Sequence, residues 1–566
     1  MEQKQADVLV IGTGAAAMSA ALTASVGGLS VLMVEKEELF GGASARSGGC
    51  LWVPNTSHAK RAGVEDSRDE AIRFFREETG NRFHQSAVEA FVDTGPEMVD
   101  FVEKHSPVRF GFLKGFPDYH CDTPGGSTKG RGLFPMTWDA APLGKNLRRL
   151  RPQLASSTFL GMQLGVHEIP AYMTAGRKAK SMAFVAGRIL QRVRDNFRAG
   201  RTLQLNSGNA LVGGLASALF DKGVELWTSS PARELIVDEQ GVSGAIIDTA
   251  TGPVEVRARC GTILATGGWP HDSKRRAELF KPGATAPEVW GMFPYGNTGD
   301  GIRMGEAVGG QFNTDVRSPI ALTPITRLHS GEGALETMPC FFNRGVPGVI
   351  IVTKDGKRFS NEGRSYHDVG TNLLKKEGME REAVAWIVFD HRYLRRYGNG
   401  PIRPAPMPYK EHLESGYLKC GQTVRELAEA CGIDPAGLEA SVTRYNEYAV
   451  RGEDPDFHRG SNAFDIANGD PEREHPCVGP LDQAPWYAIR VFAGCVGTFA
   501  GLKADEHARV VNDAGMPIPN LYVVGNDMNS ITGGDYIAGG CTLGPGMTFG
   551  YIAGKHILAR CAGGNA

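Results

Sequence analysis

Gly12-Thr-Gly14-Ala15-Ala16-Ala17 has the residue types and spacing to grip a pyrophosphate. The first glycine permits a tight turn and the second lets the main chain approach the phosphates. Ala17, in place of a third glycine, lets a helix pack closely on a strand. Ala15 and Ala16 would open that helix, where free N–H groups and the helix dipole favour negative charge. Glu35, followed by Lys36, lies 21 residues beyond Gly14 and can accept hydrogen bonds from an adenosine ribose. The chemistry is dinucleotide binding, and the motif by itself leaves NAD and FAD both open.

The elements that must position this motif lie on either side of it. Residues 7–11 (DVLVI) are a continuous apolar run that predicts a buried parallel strand. A small-residue helix pattern runs through Thr23, and residues 30–34 (SVLMV) read as a second strand. Together they form a β-α-β unit of about 30 residues. Further strands are expected at 223–228, 233–237, 243–247, 261–265, 349–353 and 520–524. Turns or helical segments separate them, which favours an α/β architecture. Residues 423–450 read as helical, and 453–484, rich in Pro, Asp, Gly and Asn, as a long irregular loop.

Composition narrows the function classes. A chain of 566 residues predicts several domains. With 41% apolar and 22% charged residues it is an ordinary globular sequence. Lys+Arg at 61 against Asp+Glu at 63 argues against a globally basic nucleic-acid binder. The ten cysteines include no C-x-x-C and no Cys/His cluster of zinc spacing, so no metal is expected. They read as reduced, mostly buried thiols of a cytoplasmic protein. No signal-peptide pattern and no long uncharged apolar run is present, so neither export nor a spanning helix is expected.

Three later segments decide for FAD: Gly41-Gly42-Ala43-Ser44-Ala45-Arg46-Ser47-Gly48-Gly49, Ala265-Thr266-Gly267-Gly268 and Val523-Val524-Gly525-Asn526. With them the chain resembles the flavoprotein family of succinate dehydrogenase and fumarate reductase. Asn297-Thr298-Gly299-Asp300-Gly301 looks like that family's G-D-G helix start. The resemblance covers most of the chain. It implies FAD contacts from Gly12, Gly14, Ala15, Ala16, Glu35, Lys36, Gly42, Ala43, Ser44, Ser47, Gly48, Gly49, Ala265, Thr266, Gly267, Asp300, Gly525, Asn526, Thr542 and Leu543. Members with covalent flavin carry a histidine in the loop after the ribose acid. GGASARSGG has none, so FAD is expected to be non-covalent. No second dinucleotide motif follows a strand, so a quinone-like acceptor is expected in place of a nicotinamide.

Within the family, the stretch from Gly533 to Tyr551 carries no Arg. A dicarboxylate would want bidentate Arg partners, so a fumarate-type substrate is disfavoured. The stretch looks instead like the 3-ketosteroid Δ1-dehydrogenases: Tyr536, Gly540, Thr542, Gly544 and Pro545 match their pattern, while Ile537, Ala538 and Cys541 depart from it. Pro117-Asp118-Tyr119 and Arg358-Phe359-Ser360-Asn361-Glu362, with Tyr366 after it, look like two further segments of these enzymes. The resemblance implies catalytic roles for Tyr119, Tyr366, Tyr536 and Gly540.

The chemistry suits those residue types. Removing hydrogen from C1 and C2 of a 3-ketone needs donors preorganised at the carbonyl oxygen, and the Tyr536 hydroxyl and Gly540 N–H can supply them. Tyr366 is the candidate base for the C2 proton, with His367 as its rival, and Tyr119 can relay the proton. A free phenol has a pKa of about 10, so the base must be poised by its surroundings.

Residues 171–201 hold eight Lys/Arg and one acid, Asp195, with Met182, Val185, Ala186, Ile189, Leu190, Val193 and Phe197 at helical spacing. Arg188, Arg192, Arg194 and Arg198 fall opposite them, and the pattern reads equally as an interfacial helix on anionic lipid or as a helix packed on its own domain. No stacking aromatics are interleaved with the charge, so nucleic acid is not an expected partner.

The expectation is an α/β protein with a discontinuous Rossmann-like FAD domain, residues 1–322 and 489–566. An inserted α+β substrate domain, 323–488, would close the site. The expected function is FAD-dependent 1,2-dehydrogenation of a 3-ketosteroid in the cytoplasm, with peripheral contact to the inner membrane face through 171–201. The rivals are a fumarate-reductase-like or Δ4-ketosteroid dehydrogenase, and a membrane-surface flavin electron carrier without a substrate of its own.

Overall fold

The computed structural model describes residues 2–154, 158–280, 290–291, 293–329, 335–341, 343–378 and 382–563, and every expected site residue falls within them. The first sheet grows from the strand Glu2–Ile11. It pairs in parallel with Val31–Val34 on one side and Gly252–Leu264 on the other. Glu225–Trp227 extends one edge in parallel, and Pro517–Val523 joins the end of Gly252–Leu264. Val8, Leu9 and Val10 are wholly buried, as a strand covered on both faces requires.

Two strands are longer than the apolar runs that announce them. Glu2–Gln5 continues the first strand because Gly252–Leu264 runs on beside it, with Glu2 opposite Val254. That long partner alternates there, burying Val254, Val256 and Ala258, and pairs antiparallel with Gly241–Thr249. Gly241–Thr249 in turn pairs with Ala232–Asp238.

The helix Ala15–Val26 packs on the C-terminal helix Leu543–Gly563 with almost no side chain between them. A Cβ at Gly550 would lie 2.3 Å from the Ala16 carbonyl oxygen, and one at Gly554 would lie 2.6 Å from Thr23 Cβ. Ser19 Oγ donates to the Met547 carbonyl at 2.7 Å. The run of alanines in the first helix and the glycines at every fourth residue of the second are what permit this approach.

A second sheet is mostly antiparallel, in the order Leu335–Pro339, Ile320–His329, Trp486–Thr498, Val384–Asp390, Val349–Val352. Its long strands Ile320–His329 and Trp486–Thr498 run across 322/323 and 488/489, so both sequence-based boundaries fall inside strands of one sheet. The expected helix 423–450 is two helices, Val424–Cys431 and Pro435–Ala449. Gly432 leaves the first in a left-handed conformation, and Asp434 caps the second ahead of Pro435. The irregular 453–484 stretch contains one short helix, Ala463–Ala467.

One reading of the cysteines is corrected. Cys260 and Cys561 form a disulfide, their Cα atoms 5.6 Å apart. They are 301 residues apart in sequence, and only the return of the C-terminal helix along the first sheet brings them together. The other eight cysteines are free.

Candidate active site

The first strand ends at Gly12, whose φ of +117° suits glycine and whose missing Cβ would sit 2.1 Å from the Ala265 carbonyl oxygen. Gly14 then caps the helix Ala15–Val26 without a side-chain hydrogen bond. The Ala15 N–H donates to Ser44 Oγ at 3.1 Å. The next two amides, of Ala16 and Ala17, have no acceptor among the described residues. A helix N-terminus with open amides is what a pyrophosphate would fill.

Glu35 is held by the Thr13 hydroxyl and the Glu37 amide, and burial pushes its carboxyl above the ordinary range. Its remaining lone pairs are free to accept ribose hydroxyls. Lys36 and Asp300 are brought together as an ion pair, 2.5 Å apart, with Thr298 Oγ1 also bonded to the lysine. Ser47 is engaged internally: its hydroxyl donates to the Ser44 carbonyl and accepts from the Gly49 amide. A Cβ at Gly42 would meet nothing within 4 Å, and one at Gly48 only the Cys50 sulfur, so this loop presents bare backbone.

Asp527, which the sequence analysis passes over, organises the other side. It is fully buried and accepts from the Thr266 and Gly268 amides, at 2.5 and 2.8 Å, and from the Thr266 hydroxyl. Its position just after Gly525-Asn526 is the signal that could have found it. Gly267 is left-handed, as is Gly525, and Ala265 directly follows the strand Gly252–Leu264. A cavity between these elements is lined by Thr498, Gly525, Asn526, Ile531, Cys541 and Thr542. The amides of Thr542 and Leu543, at the start of the C-terminal helix, have no acceptor among the described residues. Backbone donors, small residues and a half-buried acid with lone pairs to spare together fit FAD.

Next to this cradle the three tyrosines converge. Ring centroids are 5.5 Å apart for Tyr119 and Tyr366, 4.9 Å for Tyr366 and Tyr536, and 6.0 Å for Tyr119 and Tyr536. The Tyr366 ring meets both others and lies nearer to that of Tyr536. Phe341, Phe464 and Phe499 pack against the group. Burial pushes all three phenols above their ordinary value.

Each tyrosine is fixed by its neighbours in sequence. Asp118 accepts from Trp52 Nε1 at 2.7 Å, Arg131 Nη1 at 3.0 Å and the Ser127 amide at 2.9 Å, and the Tyr119 amide donates to the Ile537 carbonyl. Tyr366 opens the helix Tyr366–Glu377, capped by Ser365. His120 bridges Glu78, at 2.7 Å, and Asp368, at 3.1 Å. Burial alone would lower its pKa, but these two carboxylates raise it well above the ordinary value. Asp535, beside Tyr536, is pushed up to about 6 by burial.

Gly540 completes the arrangement. Its φ is +99°, and a Cβ would lie 2.6 Å from the Cys50 carbonyl oxygen and 2.7 Å from the Trp52 nitrogen. Its carbonyl accepts from the Trp52 and Gly544 amides, while its own N–H has no acceptor among the described residues. His367, the rival base, is otherwise engaged. Its Nδ1 accepts from the Leu322 amide at 2.9 Å, and burial lowers its pKa to about 4.

Comparison with known proteins agrees with this geometry. The FAD binding domain family matches residues 7–543. The chain is 37% identical to the 4-oxocyclohex-2-ene-1-carboxylate 5-dehydrogenase of Sinomonas cyclohexanicum, over 98% of this chain and 94% of that protein. It is 34% identical to the 3-oxosteroid 1-dehydrogenase of Mycolicibacterium smegmatis, over 99% of both. The crystal structure of 3-ketosteroid Δ1-dehydrogenase from Sterolibacterium denitrificans, in complex with 1,4-androstadiene-3,17-dione, superposes with a TM-score of 0.90 at 33% identity. That match covers 98% of this chain and 100% of that one.

The chain is therefore an FAD-dependent oxidoreductase acting on CH–CH groups. It belongs to the family of FAD-binding flavoproteins that holds the 3-ketosteroid Δ1-dehydrogenases.

Proposed function

We propose that this enzyme introduces the C1–C2 double bond of a 3-ketosteroid. The observation that carries the reading is the Gly540 amide, which has no acceptor among the described residues, together with the Tyr366 ring 4.9 Å from that of Tyr536. Tyr536 and Gly540 would hold the C3 carbonyl oxygen, donating to it as negative charge builds up there. That polarisation acidifies the C2 proton, which Tyr366 takes as tyrosinate and shares with Tyr119. Bound FAD supplies the acceptor, at N5, for the hydride that leaves C1.

Burial works against a tyrosinate, and the fold supplies an opposing charge. Arg344 is buried and, among the described residues, donates to carbonyls alone, those of Cys340, Phe341, Glu362 and Arg364. These flank Tyr366 on two sides, for Phe341 packs on its ring at 4.7 Å and Arg364 lies two residues before it. The carboxylate of Glu362, whose carbonyl Arg344 reaches, is already held by Arg358 and Arg459, at 2.7 and 3.2 Å. A guanidinium whose carboxylate neighbour is taken favours an anion on the phenol.

The two sheets support a Rossmann-like FAD domain built from both ends of the chain, with the antiparallel sheet as an inserted substrate domain and the site between them. The loop after Glu35 holds no histidine, which supports non-covalent FAD. A quinone-like acceptor and a cytoplasmic location, at the membrane face, complete the proposal. The Sinomonas relative favours a second reading, the monocyclic 4-oxocyclohex-2-ene-1-carboxylate as the substrate.

The test is turnover of purified holoenzyme with an artificial electron acceptor. A 3-keto-4-ene steroid that reduces the dye and yields the 1,4-dienone supports the proposal. Reduction by the monocyclic keto acid alone establishes the second reading. Reduction by succinate alone, or by no ketone, rejects both.

A further inference from the structure

The helix Ala179–Ala199 is turned inside out with respect to the protein. Its inward face is polar. Arg188 pairs with the buried Glu168 at 3.2 Å, and Asp195, 1% exposed, accepts from the Leu203 amide. Among its apolar side chains only Val185 is buried. Met182, Leu190, Val193 and Phe197 are 60%, 71%, 48% and 89% exposed. With Ile189 they occupy one arc of about 100° at helical spacing, the width of a face that normally meets a core. Of the twelve large apolar side chains exposed across the described residues, five lie on this one helix.

The sequence pattern put Arg188 and Arg192 on a solvent-facing cationic side. The structure turns both inward and leaves the apolar arc outward. Lys180, Arg194 and Arg198 stay exposed along one edge of that arc. Lys180 and Arg198 have no carboxylate partner among the described residues, and Arg194 only Asp195 at 3.7 Å. A bare apolar stripe edged by cations matches a lipid surface with anionic headgroups better than a polar solvent. No helix among the described residues is long and apolar enough to cross a membrane, so contact would be from one side.

The lobe that carries the helix bridges the two halves of the protein. Lys178 pairs with Glu472 at 2.7 Å and Arg403 donates to the Thr158 carbonyl, both in the half built on the second sheet. On the other side Ser207 Oγ donates to the Leu164 carbonyl, and the Gly208 amide to that of Ser47 in the FAD loop.

We propose that the helix Ala179–Ala199 lies in the headgroup region of an anionic bilayer. Met182, Ile189, Leu190, Val193 and Phe197 enter the acyl boundary, and Lys180, Arg194 and Arg198 meet lipid phosphates. This inference is independent of which ketone the enzyme oxidises.

The experiment is co-sedimentation of the holoenzyme with vesicles of phosphatidylcholine alone or mixed with phosphatidylglycerol. Binding to the mixed vesicles is expected to exceed binding to the neutral ones at least tenfold and to weaken as salt rises. Leu190→Glu with Phe197→Glu should abolish it, and Arg194→Glu with Arg198→Glu should remove the preference for anionic lipid. Both pairs should keep wild-type flavin content, melting temperature and turnover of a water-soluble ketone, since the altered side chains are exposed. Equal binding by the Leu190/Phe197 variant overturns the proposal. So does failure of the wild type to bind phosphatidylglycerol, or light scattering that shows the arc buried between two copies of the chain.

Discussion

Tyr536→Phe isolates one donor. The side chain is 7% exposed and held by Tyr366, Tyr119 and Phe499, so the phenyl ring has no reason to move when its oxygen is removed. Removing that one oxygen should therefore cost little stability. The catalytic loss should be larger. With Gly540 left as the sole donor to the carbonyl oxygen, kcat should fall roughly 10²–10³-fold, or about 2.7–4 kcal/mol. The loss should sit in kcat and kcat/KM alike, because the bond strengthens only as charge develops. Steady-state dye reduction, alongside flavin absorbance and a melting curve, separates the two effects. A variant that binds flavin, melts near the wild type and keeps kcat within about threefold would refute the role.

Other perturbations follow from the same geometry. Arg344→Gln should move the acidic limb of the kcat/KM profile to higher pH by about one unit, a tenfold loss below the limb and recovery above it. A uniform loss at every pH would show that Arg344 only braces the carbonyls it touches. His367 is buried neutral, with its pKa lowered to about 4 from an ordinary value near 6.5. The stability it contributes is therefore present above that ordinary value and is lost as pH falls towards the lowered one. His367→Gln, which keeps an acceptor for the Leu322 amide, should flatten the fall in melting temperature over that window, and an unchanged slope would place the acid sensitivity elsewhere. Gly12→Ala puts a methyl 2.1 Å from the Ala265 carbonyl oxygen. It should yield protein with little flavin, read from the visible-to-ultraviolet absorbance ratio, and full occupancy would show that the turn has other ways to relax.

The parts of this molecule legible in the sequence are those whose chemistry is local. Gly12, Gly14 and Glu35 declare themselves by spacing, because turn, helix start and second strand follow one another within one unit. The tyrosines were found through the segments that carry them, and the structure brings all three together. What stayed hidden depends on partners far away in the chain. Asp118 was read as part of a motif, yet its work, holding Trp52 and Arg131 behind Tyr119, needs strands that the motif does not contain. Arg344 looks ordinary until four carbonyls close round it. The Cys260–Cys561 bond and the outward turn of Phe197 are likewise invisible to periodicity, which gives a stripe but not the direction it faces.

The three phenols come from positions 119, 366 and 536, and the helix Leu543–Gly563, which packs on residues 15–26, comes after the last of them. A ribosome must therefore release everything up to that helix before residues 15–26 can meet their partner. Until then the cradle around Gly525, Asn526 and Thr542 and the tyrosine cluster are both incomplete. On the roles proposed for the three phenols, a product that stopped before position 536 would lack one of them.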